Sequence, residues 1–368
     1  MKYEKLSNYY KIKSGGTPSR KNSEFYFEGQ IPWAKTGDLK NMYLENVNEF
    51  ITEKGLEQSS AKLFPKGTVL LAMYGATIGN SSILSIDAAT NQACAAFLPN
   101  EHILSEYLYY FFLSIKSKLI SKGVGGAQPN ISISILKDIE IPYCSIEKQK
   151  EIVNLLNLSR SLIEKRKNQI TELSSLAQSL FFKMFGDPNT NSMKWDIKNL
   201  GDIVNNENSK RVPIKEADRK KISGIYPYYG ATGIVDYIND FKFEGEYLLI
   251  SEDGKALESR NKPIAFLASG KLWVNNHAHI LSYNGHCELQ YLQTYIESIS
   301  IKNYITGIDQ YKLNRSNLVK IPVMCPPIEL QRQFSDMVKC IEKQISTLKG
   351  AQKEFEKKFN SILQISFK

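Results

Sequence analysis

The residues of this chain best suited to chemistry are carboxamides and hydroxyls set on glycine-rich turns. Gly125-Gly126-Ala127-Gln128-Pro129-Asn130 places Gln128 and Asn130 behind a flexible turn, and Tyr74-Gly75-Ala76-Thr77-Ile78-Gly79 brackets Thr77 with two glycines. Asn and Gln can pair bidentately with adenine in the major groove of DNA, which makes such turns candidate base readers. Gln310 stands 182 positions after Gln128, so the turn recurs. For Gln128 and Gln310, a hydrogen bond that only closes the loop is an equal alternative. Tyr228-Tyr229-Gly230-Ala231-Thr232 puts two aromatics and a hydroxyl at another turn. Those rings either stack on sugar or base or belong to the core.

Catalytic and metal chemistries find less support. His277 and His279 sit two apart on a strand-like run without further His or Cys neighbours, so a structural role is expected and no metal. Cys325-Pro326-Pro327-Ile328 has the paired prolines of an adenine-methylating loop. It lacks the Asn or Asp that would bind the target amino group and the aromatic that would stack on the base. No phosphate-binding glycine loop follows a strand, so no cofactor is expected. The five cysteines (94, 144, 287, 325 and 340) form no CxxC pair, as expected of a reducing compartment. The amino-terminal run Met1-Lys2-Tyr3-Glu4-Lys5 has no apolar signal segment, and no apolar stretch is long enough to span a bilayer. The sequence therefore predicts a cytoplasmic, non-catalytic protein.

Charge fits a polyanionic partner. The net charge is +9, with 42% apolar and 23% charged residues, the composition of a folded globular protein. Residues 1–186 carry 22 basic and 17 acidic side chains and residues 187–368 carry 25 and 21, so the surplus is +5 and +4. Nucleic acid touching both halves would produce that balance, as would a lysine-rich proteome. Candidate phosphate ligands are Lys11, Lys13, Arg20, Lys21 and Lys35 in the first half. In the second they are Lys210, Arg211, Arg219, Lys220, Lys221 and Lys255.

Positioning these residues falls to a duplicated scaffold. Residues 146–185 and 328–367 are two versions of one long helix, opening Ile146-Glu147-Lys148-Gln149-Lys150 and Ile328-Glu329-Leu330-Gln331-Arg332. In the first, Ile152, Ser159, Arg166, Leu173 and Leu180 recur every seven residues, as do Leu156, Ile163, Ile170, Ala177 and Met184. The second repeats the pattern with Phe334, Ile341, Leu348, Phe355 and Ile362, beside Val338, Ile345, Gln352 and Phe359. Sustained heptads predict a coiled-coil seam. Phe185-Gly186-Asp187-Pro188 is a helix stop, with glycine as the left-handed cap. Ahead of each helix lies a module of short strands. Thr68–Met73, Ala93–Leu98 and a helix over 106–120 in the first are answered by Gly245–Ile250, Asn275–Leu281 and Gln290-Tyr291-Leu292 in the second. Between these anchors the loops diverge, as with Ile31–Asp38 against Tyr226–Gly233.

In this order the motifs resemble the specificity subunit of Type I restriction-modification enzymes along essentially the whole chain. The carrying residues are Ser14-Gly15-Gly16-Thr17-Pro18-Ser19, Ile31–Leu39, Tyr74–Gly79 and Thr90-Asn91-Gln92-Ala93 in the first half, with Pro142–Gln149 leading into the first long helix. In the second half they are Pro227–Ile234, Ser251-Glu252-Asp253-Gly254 and Val274–His279. The resemblance implies an α+β fold of two similar target recognition domains, each a short-stranded α/β globule. They would be separated by two long antiparallel coiled-coil helices with pseudo-twofold symmetry. The expected boundaries are 1–145 and 187–327 for the recognition domains and 146–186 and 328–368 for the spacer helices. It implies double-stranded DNA as a partner, one half of a bipartite site per domain, together with two methyltransferase subunits and the restriction/translocase subunits that join them. Thr36, Tyr74, Asn91, Gln92, Thr232, Asn275 and Asn276 lie within these motifs and are further candidate DNA contacts, as is Lys312, two positions after Gln310. Alternatives are a recognition subunit of a Type IIB-like system, a catalytic DNA methyltransferase or nuclease, and a purely structural assembly protein.

Overall fold

The computed structural model describes residues 2–123 and 129–368. The chain forms two compact units, residues 1–166 with 351–368, and residues 167–350. Each short-stranded module of the sequence falls within one unit, and the two long helices are divided between the units. Each unit holds the first half of one long helix or the second half of it, together with the complementary half of the other.

In the first unit a five-stranded sheet runs in the order Lys13–Ser14, Cys94–Phe97, Val69–Ala72, Ser81–Leu84, Tyr43–Leu44. Its middle strand reads Val-Leu-Leu-Ala without a polar break because both faces are covered. Val69 and Leu71 face one core with Leu108, Phe111 and Phe112, while Leu70 and Ala72 face another with Phe64 and Leu84. Side chains alternate across a strand, so one run supplies both cores. A four-stranded sheet (Phe50–Ile51, Ile31–Ala34, Ala88–Thr90, Leu63–Phe64) carries the loops that follow Ala34 and Thr90. Lys2–Lys5 pairs antiparallel with Glu140–Tyr143 at the foot of the first long helix.

The second unit repeats this plan. Its six-stranded sheet runs Val204–Asn206, Ala278–Tyr283, Phe243–Ser251, Ala265–Val274, Ser223–Gly230, Gly233–Ile238. Leu248 and Ile250 face one core and Leu249 the other. Ile197–Asn199 pairs antiparallel with Pro322–Met324 before the second long helix.

The long helices span Ile146–Phe185 and Ile328–Ser366, roughly 60 Å each. Every residue on the four heptad tracks is buried or half-buried, whereas most residues between them are exposed, as a seam requires. In the first unit Arg166 lies over the Phe355 ring, Tyr110 meets both Asn157 and Phe359, and Tyr107 meets Phe367. One helix thus ascends as the other descends. Gly186 ends the first helix at φ +79°, its N–H donating to Phe182 O at 2.9 Å.

One expected element differs. The helix over 106–120 is broken at Ile115 into Ser105–Ser114 and Lys116–Ser121. Ser114 Oγ donates back to Phe111 O at 2.7 Å, an interaction that bends helices, and Ser114 O instead accepts from Gln364 Nε2 at 2.9 Å. Among the described residues no helix is long and apolar enough to cross a membrane.

Candidate nucleic-acid interface

The same backbone bonds hold four loop segments together in each unit. Asn91 N–H donates to Ala34 O and Asn275 N–H to Tyr229 O, both at 3.1 Å. Met73 N–H donates to Ala93 O and Glu252 N–H to His277 O, both at 2.8 Å. Gly75 N–H meets Pro129 O at 2.9 Å, and Gly254 N–H meets Tyr311 O at 3.0 Å. Ile131 N–H meets Met73 O at 2.9 Å, and Leu313 N–H meets Glu252 O at 2.8 Å. Gly75 and Gly254 adopt φ +63° and +113°, values that L side chains rarely reach, so a side chain would strain both turns.

On this shared frame the side chains differ. Tyr74, 44% exposed, occupies the place of Asp253. Gln92, bonded to Thr17, occupies that of Asn276, and Ala93 that of His277. Asn130 stands where Lys312 stands, since Tyr74 bridges to the one as Asp253 bridges to the other. Thr77 Oγ1 donates to Tyr74 O at 2.9 Å and braces that turn. In the second unit His277 Nδ1 lies 2.7 Å from Asp253 Oδ2, and Glu252 is held by Arg211 at 2.9 Å and Lys312 at 3.7 Å.

An arginine covers an aromatic ring beside each loop set. Arg20 lies 4.3 Å over Tyr26 and 5.1 Å over Trp33 and is paired with Glu49, which also binds Lys35. Arg219 lies 4.8 Å over Tyr228, pairs with Asp236 at 3.1 Å and donates to Ile214 O at 2.7 Å. Lys35, with help from Arg20, holds the Glu49 carboxyl below the usual carboxylate range. The Tyr237 N–H and then Arg219 do the same for Asp236. The guanidinium planes are thus fixed by π-stacking and by charge.

Several sequence candidates take structural places. Tyr228 is fully buried with its hydroxyl accepting from Ile214 N–H at 2.9 Å, so of the two readings it is core. Asn275 is 8% exposed, and its Oδ1 accepts from His277 N–H at 2.8 Å, which makes it scaffold rather than an open base reader. Arg211 spends its Nη1 on Glu252 and on Ala278 O and is only 13% exposed, so it is no free phosphate ligand. Arg20, Lys35 and Arg219 are likewise neutralised within the chain. Tyr229 is half-buried against Phe266. Lys210 and Lys220 are exposed but paired with Glu207 and Glu216. Lys11, Lys21 and Lys255 are exposed and Lys13 half-buried, without an ion pair among the described residues. Asn130, Thr232, Asn276, Gln310 and Lys312 are exposed, and Thr36 and Asn91 half-buried. Gln128 lies outside the described residues.

His279 is buried, its Nε2–H donating to Leu313 O at 2.7 Å and its Nδ1 accepting from Asn208 Nδ2 at 2.7 Å. Burial, the main cause, pushes this imidazole below its ordinary value. Among the described residues no three His, Cys, Asp or Glu side chains gather as metal ligands.

Sequence reasoning missed two features that position the loops. Gln149 and Gln331 are buried hooks: Gln149 Oε1 accepts from Leu104 N–H at 2.9 Å and Gln331 Oε1 from Glu288 N–H at 3.0 Å, each at the start of the short helix. Their common place, fourth in both long helices, was the available signal. The Asp253–His277 pair had no such signal, because the partners come from separate loops.

Comparison with known proteins gives this architecture a family. Residues 1–172 and 193–357 match the model of the Type I restriction modification DNA specificity domain. The chain is 29% identical to the Type I restriction enzyme MjaIX specificity subunit of Methanocaldococcus jannaschii, over 94% of this chain and 89% of that one. It is 22% identical to the EcoprrI specificity subunit of Escherichia coli, over 89% and 84%. Among solved structures, the Type-I restriction-modification system S subunit from M. genitalium aligns with TM-score 0.61 at 17% identity, covering 100% of this chain and 96% of its own. A chain solved in work on complex assembly and conformational transition of the type I R-M system aligns with TM-score 0.64 at 15% identity, covering 100% and 97%.

Proposed function

Because the chain belongs to the Type I restriction modification DNA specificity family, we propose that each of its two loop sets reads one half of a bipartite DNA site. The chain is a non-catalytic recognition subunit of a Type I restriction-modification system. In this reading residues 1–145 and 187–327 are the target recognition domains. Residues 146–186 and 328–368 are the helices that space them and dock two methyltransferase subunits, to which restriction/translocase subunits are added.

The observation that carries it is the loop frame itself. Four matched backbone bonds hold two sets of loops whose exposed side chains differ, the arrangement expected of one reading device tuned to two sequences. Exposed Lys11, Lys21 and Lys255 supply phosphate contacts, which give affinity without sequence, while Tyr74, Gln92, Asn130, Asn276 and Lys312 reach base edges.

The test is to express the chain with its methyltransferase and sequence the methylated DNA. One bipartite motif is expected. Exchanging residues 1–145 for those of a relative should alter one half of that motif and leave the other unchanged. Alteration of both halves, or of neither, would sink the assignment.

A further inference from the structure

We infer that the Asp253–His277 pair is a specificity determinant of the second unit, accepting a hydrogen bond from the exocyclic amino group of an adenine or cytosine. The inference rests on the proposed reading of one half-site by each unit.

Three observations place it. Asp253 and His277 lie on two different loops of the shared frame, where the first unit has Tyr74 and Ala93, so the pair exists on one side of the repeat alone. The pair is open: His277 keeps 51% and Asp253 36% of side-chain exposure, unlike the neighbouring Glu252 at 15%. And its His277 member lines a cavity of about 510 Å³ together with Asn276, Lys215, Glu216 and Arg219.

The chemistry follows from the 2.7 Å contact between His277 Nδ1 and Asp253 Oδ2. A carboxylate beside Nδ1 holds the proton of the neutral ring there, which leaves Nε2 as an acceptor. Nε2 makes no hydrogen bond among the described residues. Asp253 Oδ1 adds a second acceptor. Glu252 does not compete, since Arg211 and Lys312 already neutralise it. In the major groove, adenine N6 and cytosine N4 present amino donors, whereas guanine and thymine present acceptors at the corresponding edge. An acceptor pair therefore selects A or C and rejects G or T. Lys215, exposed and without an ion pair among the described residues, lies beside His277 and suits an adjoining phosphate.

The experiment uses the complex with its methyltransferase and reads the motif from methylated DNA and from binding selection. His277→Ala should lower discrimination at a single A- or C-bearing position of one half-site by about tenfold or more, with the other half-site unchanged. Asp253→Ser, which removes the orienting carboxylate from an exposed turn, should relax the same position. Retained discrimination in both variants, or uniform weakening across all sequences, overturns the inference. If the unaltered complex itself yields no bipartite motif, the reading of the two units fails first, and that outcome is told apart before any variant is made.

Discussion

The two units share a trunk and part company at its edge. In the second unit Ala265–Val274 is one strand that pairs antiparallel with Phe243–Ser251 along its length and, at its end, parallel with Tyr228 and Tyr229. The first unit spends the same ten residues on two strands, Ser81–Leu84 and Ala88–Thr90, parted at Asp87, whose Oδ1 accepts from Lys66 N–H at 2.7 Å. The outer half peels away and becomes the centre of a second sheet, still pairing parallel with Trp33 and Ala34. Two sheets or one, the loops after Ala34 and Tyr229 receive the same bond from Asn91 and Asn275. A reading surface can thus keep its frame while the sheet beneath it is rebuilt, because the frame is fixed by backbone groups that any sequence supplies.

Three perturbations sharpen this comparison. The largest concerns the hooks. Gln149→Ala strands Leu104 N–H and the carbonyls of His102 and Cys144, while Gln331→Ala strands Glu288 N–H and the carbonyl of Pro326. Each unsatisfied group costs about 1–3 kcal/mol, so both variants lose stability and Gln149→Ala loses more. Hydrogen exchange resolved by unit reads this directly, and a larger loss for Gln331→Ala would break the equivalence.

Next are the buried aromatics. Trp33→Phe removes ring volume and the Nε1–H bond to Gly16 O at 3.1 Å, for roughly 2 kcal/mol. Tyr228→Phe removes only the hydroxyl that serves Ile214 N–H, for about 1 kcal/mol. Denaturant unfolding that ranks them the other way would mean Tyr228 is more than core.

The smallest effect is a pH difference. His279 is held neutral in the folded chain, its neighbours being Glu252, Arg211, Lys312 and the Leu313 carbonyl. Its folded value lies below the unfolded one, so its contribution is complete above about pH 6.5 and is lost as the pH falls toward the folded value. The first unit has Ala95 at the matching register and should lack this loss. Unit-resolved hydrogen exchange at pH 7.5 and 5.5 checks it, and His279→Gln should remove the pH-dependent part of the difference.

Much of this was legible beforehand. The heptads of both helices, the Gly186 stop and the central strands announced themselves through periodicity and turn residues, which are local signals. The matching of Ile31–Asp38 to Tyr226–Gly233 was also readable, and the parallel pairings of Trp33 and Tyr228 support it. Charge misled. Arg20, Arg211 and Arg219 looked like phosphate ligands because nothing local shows that Glu49, Glu252 and Asp236 lie against them.

By itself, then, the sequence determined where helices and strands form and that the plan occurs twice, since those follow from spacing along the chain. Only the tertiary structure decided which side chains remain free. A charge is spent or available according to what folding brings beside it, and Asp253 and His277 become one acceptor pair only when two loops 24 positions apart are bonded through Glu252 N–H and His277 O.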